Sequence, residues 1–85
     1  MKATEATYSA NGKTLTIRRD PATRYIQVII DLHGDHPLTL WSNSARELGI
    51  AQHETAAAVF YHLHGYRGTN GDIQEVAGAL EYFTA

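Results

Sequence analysis

The feature that most constrains the fold is the dipeptide Asn11-Gly12, which separates two stretches of alternating apolar and polar residues. Asn-Gly suits a two-residue hairpin turn, because both central residues of that turn need a positive φ angle. Side chains that alternate along a strand point to opposite faces of a sheet. With the turn at the tip, the residues that share one face of the hairpin are Ala6, Tyr8, Leu15 and Ile17.

Two further turns extend this pattern to four strands. The segment Asp20-Pro21-Ala22-Thr23 suits a type I turn and would place Arg19 opposite Arg24. The third strand, from Arg24 to Leu32, then alternates between the two faces. Its predicted inward residues are Ile26, Val28, Ile30 and Leu32, and its outward residues are Tyr25, Gln27, Ile29 and Asp31.

The third predicted turn is His33-Gly34-Asp35-His36-Pro37. If Leu32 pairs with Leu38 after this turn, Ile29 lies opposite Trp41. All three turns then agree on one buried face, and a slip of one residue would send a whole strand to the wrong side.

Three helical segments follow the strands. Ser44-Ala45-Arg46-Glu47 has the pattern of a capping box, and Gly49 is a suitable stop. A second helix is predicted from about Gln52 to His64, ending at Gly65. A third is predicted from about Gly71 to Phe83, with Thr69 and Asp72 as a box-like start. Their apolar stripes are Ala56, Val59, Phe60 and Leu63 on one helix, and Ile73, Val76, Ala77, Leu80 and Phe83 on the other.

Together these signals predict an α+β fold: a four-stranded antiparallel β-meander of order 1-2-3-4, with two to three C-terminal helices packed on one face. We expect residues 1–85 to form a single domain, with the meander at about 4–42 and the helical part at about 44–84. At 85 residues the core is thin and leaves little room for a deep substrate pocket.

Charge and composition argue against several classes of protein. The net charge is −2, from seven basic and nine acidic residues, whereas dedicated nucleic-acid binders are usually strongly basic. Cysteine is absent, so the chain has no disulfide, thiolate zinc site or cysteine nucleophile. No apolar run has the length of a membrane span, and the first residues lack the pattern of a signal peptide. We therefore expect a cytoplasmic protein with no membrane partner.

Histidines are the candidate metal ligands. Asp31-Leu32-His33-Gly34-Asp35-His36 resembles the His-x-His-x-Asp-His element of metallo-β-lactamase-type hydrolases, with Asp31 in place of the first histidine. That family needs a much larger domain and further ligands downstream. His62 and His64 lie two apart and would not share a helical face. A hydrolase joining His33 or His36 to His62 or His64 is the third hypothesis, and we expect no metal and no cofactor.

Nucleic-acid binding is the second hypothesis. Ala45-Arg46-Glu47-Leu48-Gly49-Ile50 resembles the first helix and turn of a helix-turn-helix, so the segment 45–64 would carry the recognition helix. That second helix holds no Lys or Arg, which base and phosphate readers normally supply. Arg18, Arg19 and Arg24 gather at the second hairpin tip, where they could meet phosphates or an acidic protein surface.

The first hypothesis is a protein-binding module that is not an enzyme. Aromatic residues and arginine are enriched where interfaces concentrate binding energy, and an exposed apolar patch usually marks a partner site. The expected contact residues are Tyr25, Ile29, Trp41, Arg18, Arg19 and Arg24, and no catalytic residue is assigned. The partner is another protein or protein complex, with a homodimer through the open sheet face as the other form. In size and class the chain is similar to small phage-encoded inhibitors of host defence complexes, including anti-CRISPR proteins.

Overall fold

The computed structural model describes residues 5–32 and 36–84. It is an α+β fold with one four-stranded antiparallel sheet in the order β1-β2-β3-β4, followed by three helices, as the sequence predicts. The elements in chain order are β1 (Glu5–Ala10), β2 (Lys13–Arg19), β3 (Ile26–Asp31), β4 (Pro37–Asn43), α1 (Ala45–Ile50), α2 (Gln52–His64) and α3 (Asn70–Thr84).

The first hairpin has the predicted turn and register. Asn11 and Gly12 have φ angles of 54° and 75°, and Tyr8 lies opposite Leu15. The second hairpin differs from the prediction. Arg24 does not pair with Arg19 but belongs to a wider loop, in which the Asp20 amide donates to the Tyr25 carbonyl at 2.8 Å.

This wider loop moves the register between β2 and β3 by two residues, so that Ile17 lies opposite Val28 rather than Ile26. A shift of two keeps every side chain on its predicted face, because the side-chain period of a strand is two residues. The strand itself is shorter than predicted, running from Ile26 to Asp31. Most of the third predicted turn, residues 33–35, lies outside the described residues.

A bulge in β4 overturns the predicted position of Trp41. The register of β3 with β4 shifts between Val28 and Ile29, so that Val28 faces Trp41 while Ile29 faces Thr39. Leu40 is the extra residue, and an extra residue changes the alternation of everything beyond it. Because Val28 is buried beneath the helices, Trp41 lies on the helix-covered face and not on the open one.

One core joins the sheet to the helices. The predicted stripe of α2 is buried throughout, and Leu80 and Phe83 of α3 are buried with it. Ser44 caps α1, accepting the Glu47 amide at 3.2 Å as the capping-box pattern predicts. Gly49 is not the stop: α1 continues through Ile50, and the Cβ position of Gly49 faces Thr84 at 3.8 Å.

The tip of the first hairpin docks on the C-terminal end of α2. The Lys13 ammonium donates to the His62 carbonyl at 2.9 Å, and the Asn11 side-chain amide donates to the Leu63 carbonyl at 3.1 Å. The last carbonyls of a helix lack partners within the helix and carry its negative dipole end. The Lys13 ammonium and the Asn11 amide therefore donate hydrogen bonds to carbonyls that lack partners, and the ammonium places a positive charge at the negative end of the helix. These contacts also connect the sheet to the helical layer.

Candidate functional site

The sheet face opposite the helices is hydroxyl-rich and has one aliphatic residue at its centre. Its middle row crosses all four strands, with Ile29 between threonines of β2 and β4. A shallow depression of about 330 Å³ surrounds Ile29 and includes Arg18, whose Nε donates to the Gln27 side-chain oxygen at 2.6 Å. The middle row consists of Thr7, Thr16, Ile29 and Thr39.

Trp41 does not contribute to this open face. Its side chain is partly buried and packs against the core, and its Nε1 is buried without a hydrogen-bond partner among the described residues. The part of the Trp41 ring that packs against its own core is not available to a partner. The prediction that Trp41 and Ile29 form an exposed cross-strand pair is wrong, and the open face keeps only Ile29 of the two.

The three arginines of the second hairpin tip face different environments. Arg18 lies on the open face beside Gln27, whereas Arg19 donates to the Phe83 carbonyl at 3.0 Å, at the end of α3. Arg24 is exposed in the loop with a φ angle of 64°. Arg19 is therefore occupied in capping a helix, and no single basic surface combines all three. Tyr25, 44% exposed, follows directly in the same loop.

A concave surface that was not predicted from the sequence lies on the helical layer. This groove, of about 550 Å³, runs between α2 and the start of α3. Its floor consists of small and aliphatic side chains, and Tyr61, His62 and Arg67 line it with them. Tyr61 is 53% exposed. We call this set of residues the α2–α3 groove; the floor residues are Ala57, Ala58, Gly68 and Ile73.

The shape of the groove depends on a close approach between Gly68 and Phe60. A Cβ atom on Gly68 would lie 2.8 Å from Cδ1 of Phe60, so only glycine fits there without displacement. The Phe60 ring cannot move away easily, since His64 lies 4.4 Å from it and Tyr66 meets its edge at 5.6 Å, centroid to centroid. The α2–α3 loop is thereby held against α2, with Arg67 beside the groove.

The start of α3 is fixed by the predicted reciprocal cap. The Thr69 amide and hydroxyl donate to Asp72 Oδ2 at 2.9 and 3.0 Å, and Thr69 Oγ1 accepts the Asp72 amide at 3.2 Å. Hydrogen bonds to the ionised form favour it. Those from the Thr69 amide and hydroxyl hold the pKa of Asp72 below its ordinary value, with a smaller contribution from His64 and a small opposing effect of burial.

The second helix of the segment 45–64 packs its apolar stripe inward and carries no Lys or Arg. This helix, α2, buries Val59, Phe60 and Leu63 against the sheet and α3. The residues of α2 that face outward are His53, Glu54 and Tyr61, and none of the 13 residues of α2 is Lys or Arg. α2 therefore offers the phosphate backbone no lysine or arginine.

His62 and His64, both in the last turn of α2, have different surroundings. His64 contacts the Phe60 ring and lies 3.3 Å from the Asn11 amide nitrogen through Nδ1, whereas His62 lines the groove. His33 lies outside the described residues. Within residues 5–32 and 36–84, no three His, Cys, Asp or Glu side chains come together as metal ligands would. In the same part of the chain, no helix has the length and hydropathy needed to cross a bilayer.

Comparison with known proteins adds no function by similarity. No protein-family model, curated protein or solved structure matches the chain.

Proposed function

We propose that this chain is a non-enzymatic protein-binding module that covers a surface of another protein through the α2–α3 groove. The observation that carries the proposal is that Tyr61 and Arg67 line one concave groove of about 550 Å³. Tyrosine and arginine are the residue types in which interface energy concentrates, and they act best around a pocket that a partner can fill.

The chemistry of the groove defines the segment it would accept. The floor is apolar and made of short side chains, so it suits one aliphatic or aromatic side chain of a partner. Within residues 5–32 and 36–84, Arg67 is exposed and no hydrogen bond or ion pair engages its guanidinium. A guanidinium pairs best with a carboxylate. The expected partner segment therefore carries an apolar residue next to an Asp, a Glu or a terminal carboxylate.

The open sheet face is the second candidate surface. Helices cover the other side of the sheet, so Arg18, Gln27 and Ile29 remain accessible to a partner. With Trp41 on the covered side, however, its contact energy would rest mainly on one aliphatic side chain. The face retains the predicted contact residues Arg18 and Ile29, with Tyr25 and Arg24 in the adjoining loop.

The narrower form of the proposal is an inhibitor of a host defence complex, similar in size and class to small phage-encoded inhibitors such as anti-CRISPR proteins. It rests on size and fold class alone. Production of the chain in a bacterium with an active CRISPR system tests it directly. The proposal predicts that the chain blocks interference with an incoming plasmid, and that the substitution Arg67→Glu removes the block.

The general proposal is tested by affinity capture from a native lysate, with quantitative mass spectrometry and charge-matched variants. Arg67→Glu reverses a charge at the groove, while Arg46→Glu makes the same change on the exposed side of α1. A hot-spot arginine contributes roughly 2 kcal/mol or more, which corresponds to a loss of affinity of about thirtyfold or more.

We expect Arg67→Glu to lose the captured protein and Arg46→Glu to retain it. Ile29→Glu distinguishes the open face, since it places a charge at the centre of the other surface. If Ile29→Glu loses the captured protein and Arg67→Glu retains it, the binding site lies on the open sheet face and not in the α2–α3 groove. Equal capture by all the variants would contradict both surfaces.

A further inference from the structure

Within residues 5–32 and 36–84, the sheet has two edges, and only one of them is protected against pairing with another strand. β4, at one edge, begins with Pro37, contains the bulge at Leu40 and contacts α1 and α2. β1, at the other edge, pairs with β2 in continuous register, and its sequence Glu-Ala-Thr-Tyr-Ser-Ala holds no proline and one charge at its first residue. Proline, charge and bulges are the features by which soluble proteins keep edge strands apart.

The helices also leave the inner side of β1 incompletely covered. They contact β2, β3 and β4, and an apolar cleft of about 260 Å³ opens where β1 meets α2 and α3. Tyr8 lines this cleft and is 42% exposed, whereas its cross-strand neighbour Leu15 is buried. The other walls include Leu63, Val76 and Ala79. An additional strand at this edge would extend the sheet and cover the cleft.

The first hairpin determines which backbone groups of β1 point outward. A two-residue turn closes on a hydrogen-bonded pair, here Ala10 with Lys13, and such pairs alternate along an antiparallel ladder. Ala6, Tyr8 and Ala10 therefore direct their amides and carbonyls to β2. The residues whose amides and carbonyls face the free edge are Glu5, Thr7 and Ser9.

We propose that β1 pairs antiparallel with β1 of a second copy of this chain, with Thr7 opposite Thr7 at the two-fold axis. This register brings Glu5 opposite Ser9 of the other copy, and all the outward-facing groups of these residues are satisfied by about six interstrand hydrogen bonds. The proposal concerns a different surface from the α2–α3 groove and does not depend on the proposed function.

The side chains of β1 are complementary in the same register. On the helix side, Tyr8 lies opposite the small Ala6 of the second copy, beside the apolar cleft. On the open side, Thr7 meets Thr7 and Glu5 meets Ser9, so no like charges are opposed. The product is an eight-stranded sheet with the helices of both copies on one side. Because the remaining edges are the protected β4 strands, assembly closes at the dimer.

The test measures oligomeric state by sedimentation velocity from low-micromolar to near-millimolar protein concentration. The interface is small, so we expect the full chain to change from monomer to dimer within this range. Thr7→Lys places two ammonium groups opposite one another at the two-fold axis and should leave a monomer. The matched control Thr14→Lys makes the same change on the open face of β2, which has a strand on each side and so is not at the edge. This variant should still dimerise.

A cysteine cross-link provides a second measurement that does not rely on a charged variant. The chain has no cysteine, and paired residues at a two-fold axis lie within the distance of a disulfide. Oxidised Thr7→Cys should run as a covalent dimer, while Thr14→Cys should not. A monomer at every concentration, dissociation by Thr14→Lys as well, or cross-linking of both variants would overturn the proposal. So would β1 amides that become protected from exchange only when an extended peptide of another protein is added.

Discussion

Replacement of Gly68 by alanine should destabilise the protein, because the new methyl group meets the Phe60 ring. Its Cβ would lie 2.8 and 2.9 Å from two ring carbons and 3.1 Å from Cβ of Asp72. Carbon atoms pack at about 3.5 Å or more, so the neighbours must shift by roughly 0.7 Å. Phe60 is only 7% exposed and is held between His64 and Tyr66, which prevents an easy adjustment.

Such overpacking costs about 1–3 kcal/mol of unfolding free energy. In a domain of this size, 1 kcal/mol corresponds to a change in Tm of about 4–8 °C. Gly78→Ala is a matched control of opposite sign. Gly78 is an exposed residue inside α3, and a Cβ there meets nothing within 4 Å. Alanine should stabilise that helix by about 0.5–1 kcal/mol.

Urea unfolding followed by circular dichroism measures both changes. A double-mutant cycle then tests the cause, since Phe60→Leu removes the ring edge that the methyl group contacts. We expect the cost of Gly68→Ala to fall by at least 0.5 kcal/mol in the Phe60→Leu background, the usual size of coupling between contacting residues. If Gly68→Ala is as stable as the natural chain, the loop is not packed against α2 as described, and the shape of the groove is wrong.

Two further changes test the contacts that join sheet and helices and that start α3. Lys13→Met removes the ammonium from the His62 carbonyl while keeping the aliphatic stem. It should lower the free energy of unfolding in urea by about 0.5–2 kcal/mol. The control Arg46→Met, on the exposed side of α1, should change that free energy by less than about 0.5 kcal/mol. Asp72→Asn should lower stability at neutral pH. Because the folded-state pKa of Asp72 is lowered, its contribution is full above the ordinary value of 3.8 and is lost as the pH falls through the folded value. The free energies of unfolding of the natural chain and of Asp72→Asn should therefore converge in acid. A constant difference between them from pH 7 to pH 2 would contradict the Thr69–Asp72 cap.

The sheet could be predicted from the sequence because its turn residues and its alternation of apolar and polar residues indicate the same strands independently. Asn11-Gly12 specifies one hairpin and its register. In the β2–β3 hairpin the loop was predicted wrongly, but every side chain was still assigned to the correct face of the sheet. The six-residue loop closed by Asp20 and Tyr25 was missed because Asp-Pro also suits a shorter turn. The resulting register error of two residues changed which residues pair across the strands, but not the face on which each side chain lies.

The position of Trp41 could not be predicted from alternation alone. The bulge at Leu40 involves no glycine or proline that would signal it, and both Leu40 and Trp41 are apolar enough to be buried. In the register that forms, α1 and α2 contact β4, and these contacts are not visible in the alternation of the strand. Alternation assigns faces reliably only while the ladder is regular, so a bulge without a sequence signal changes the predicted face of the residues beyond it.

The helices could be predicted to within a few residues, but their shared surface could not. The stripes of α2 and α3 and the Thr69–Asp72 box follow from local spacing. The α2–α3 groove depends on how closely two helices approach, and the signal for that approach was Gly68 directly after Arg67 in a short loop. A glycine in a helix–helix loop permits a close contact, but the sequence does not say with which side chain.

The choice of the α2–α3 groove over the open face depends on the side of the sheet that Trp41 occupies. Trp41 is the only tryptophan of the chain, so its fluorescence reports this position directly. We expect emission at short wavelength, weak quenching by iodide and a marked red shift on unfolding in urea. Emission and iodide quenching already equal to those of the unfolded chain, in protein with a native circular dichroism spectrum, would place Trp41 on the open face and contradict the account.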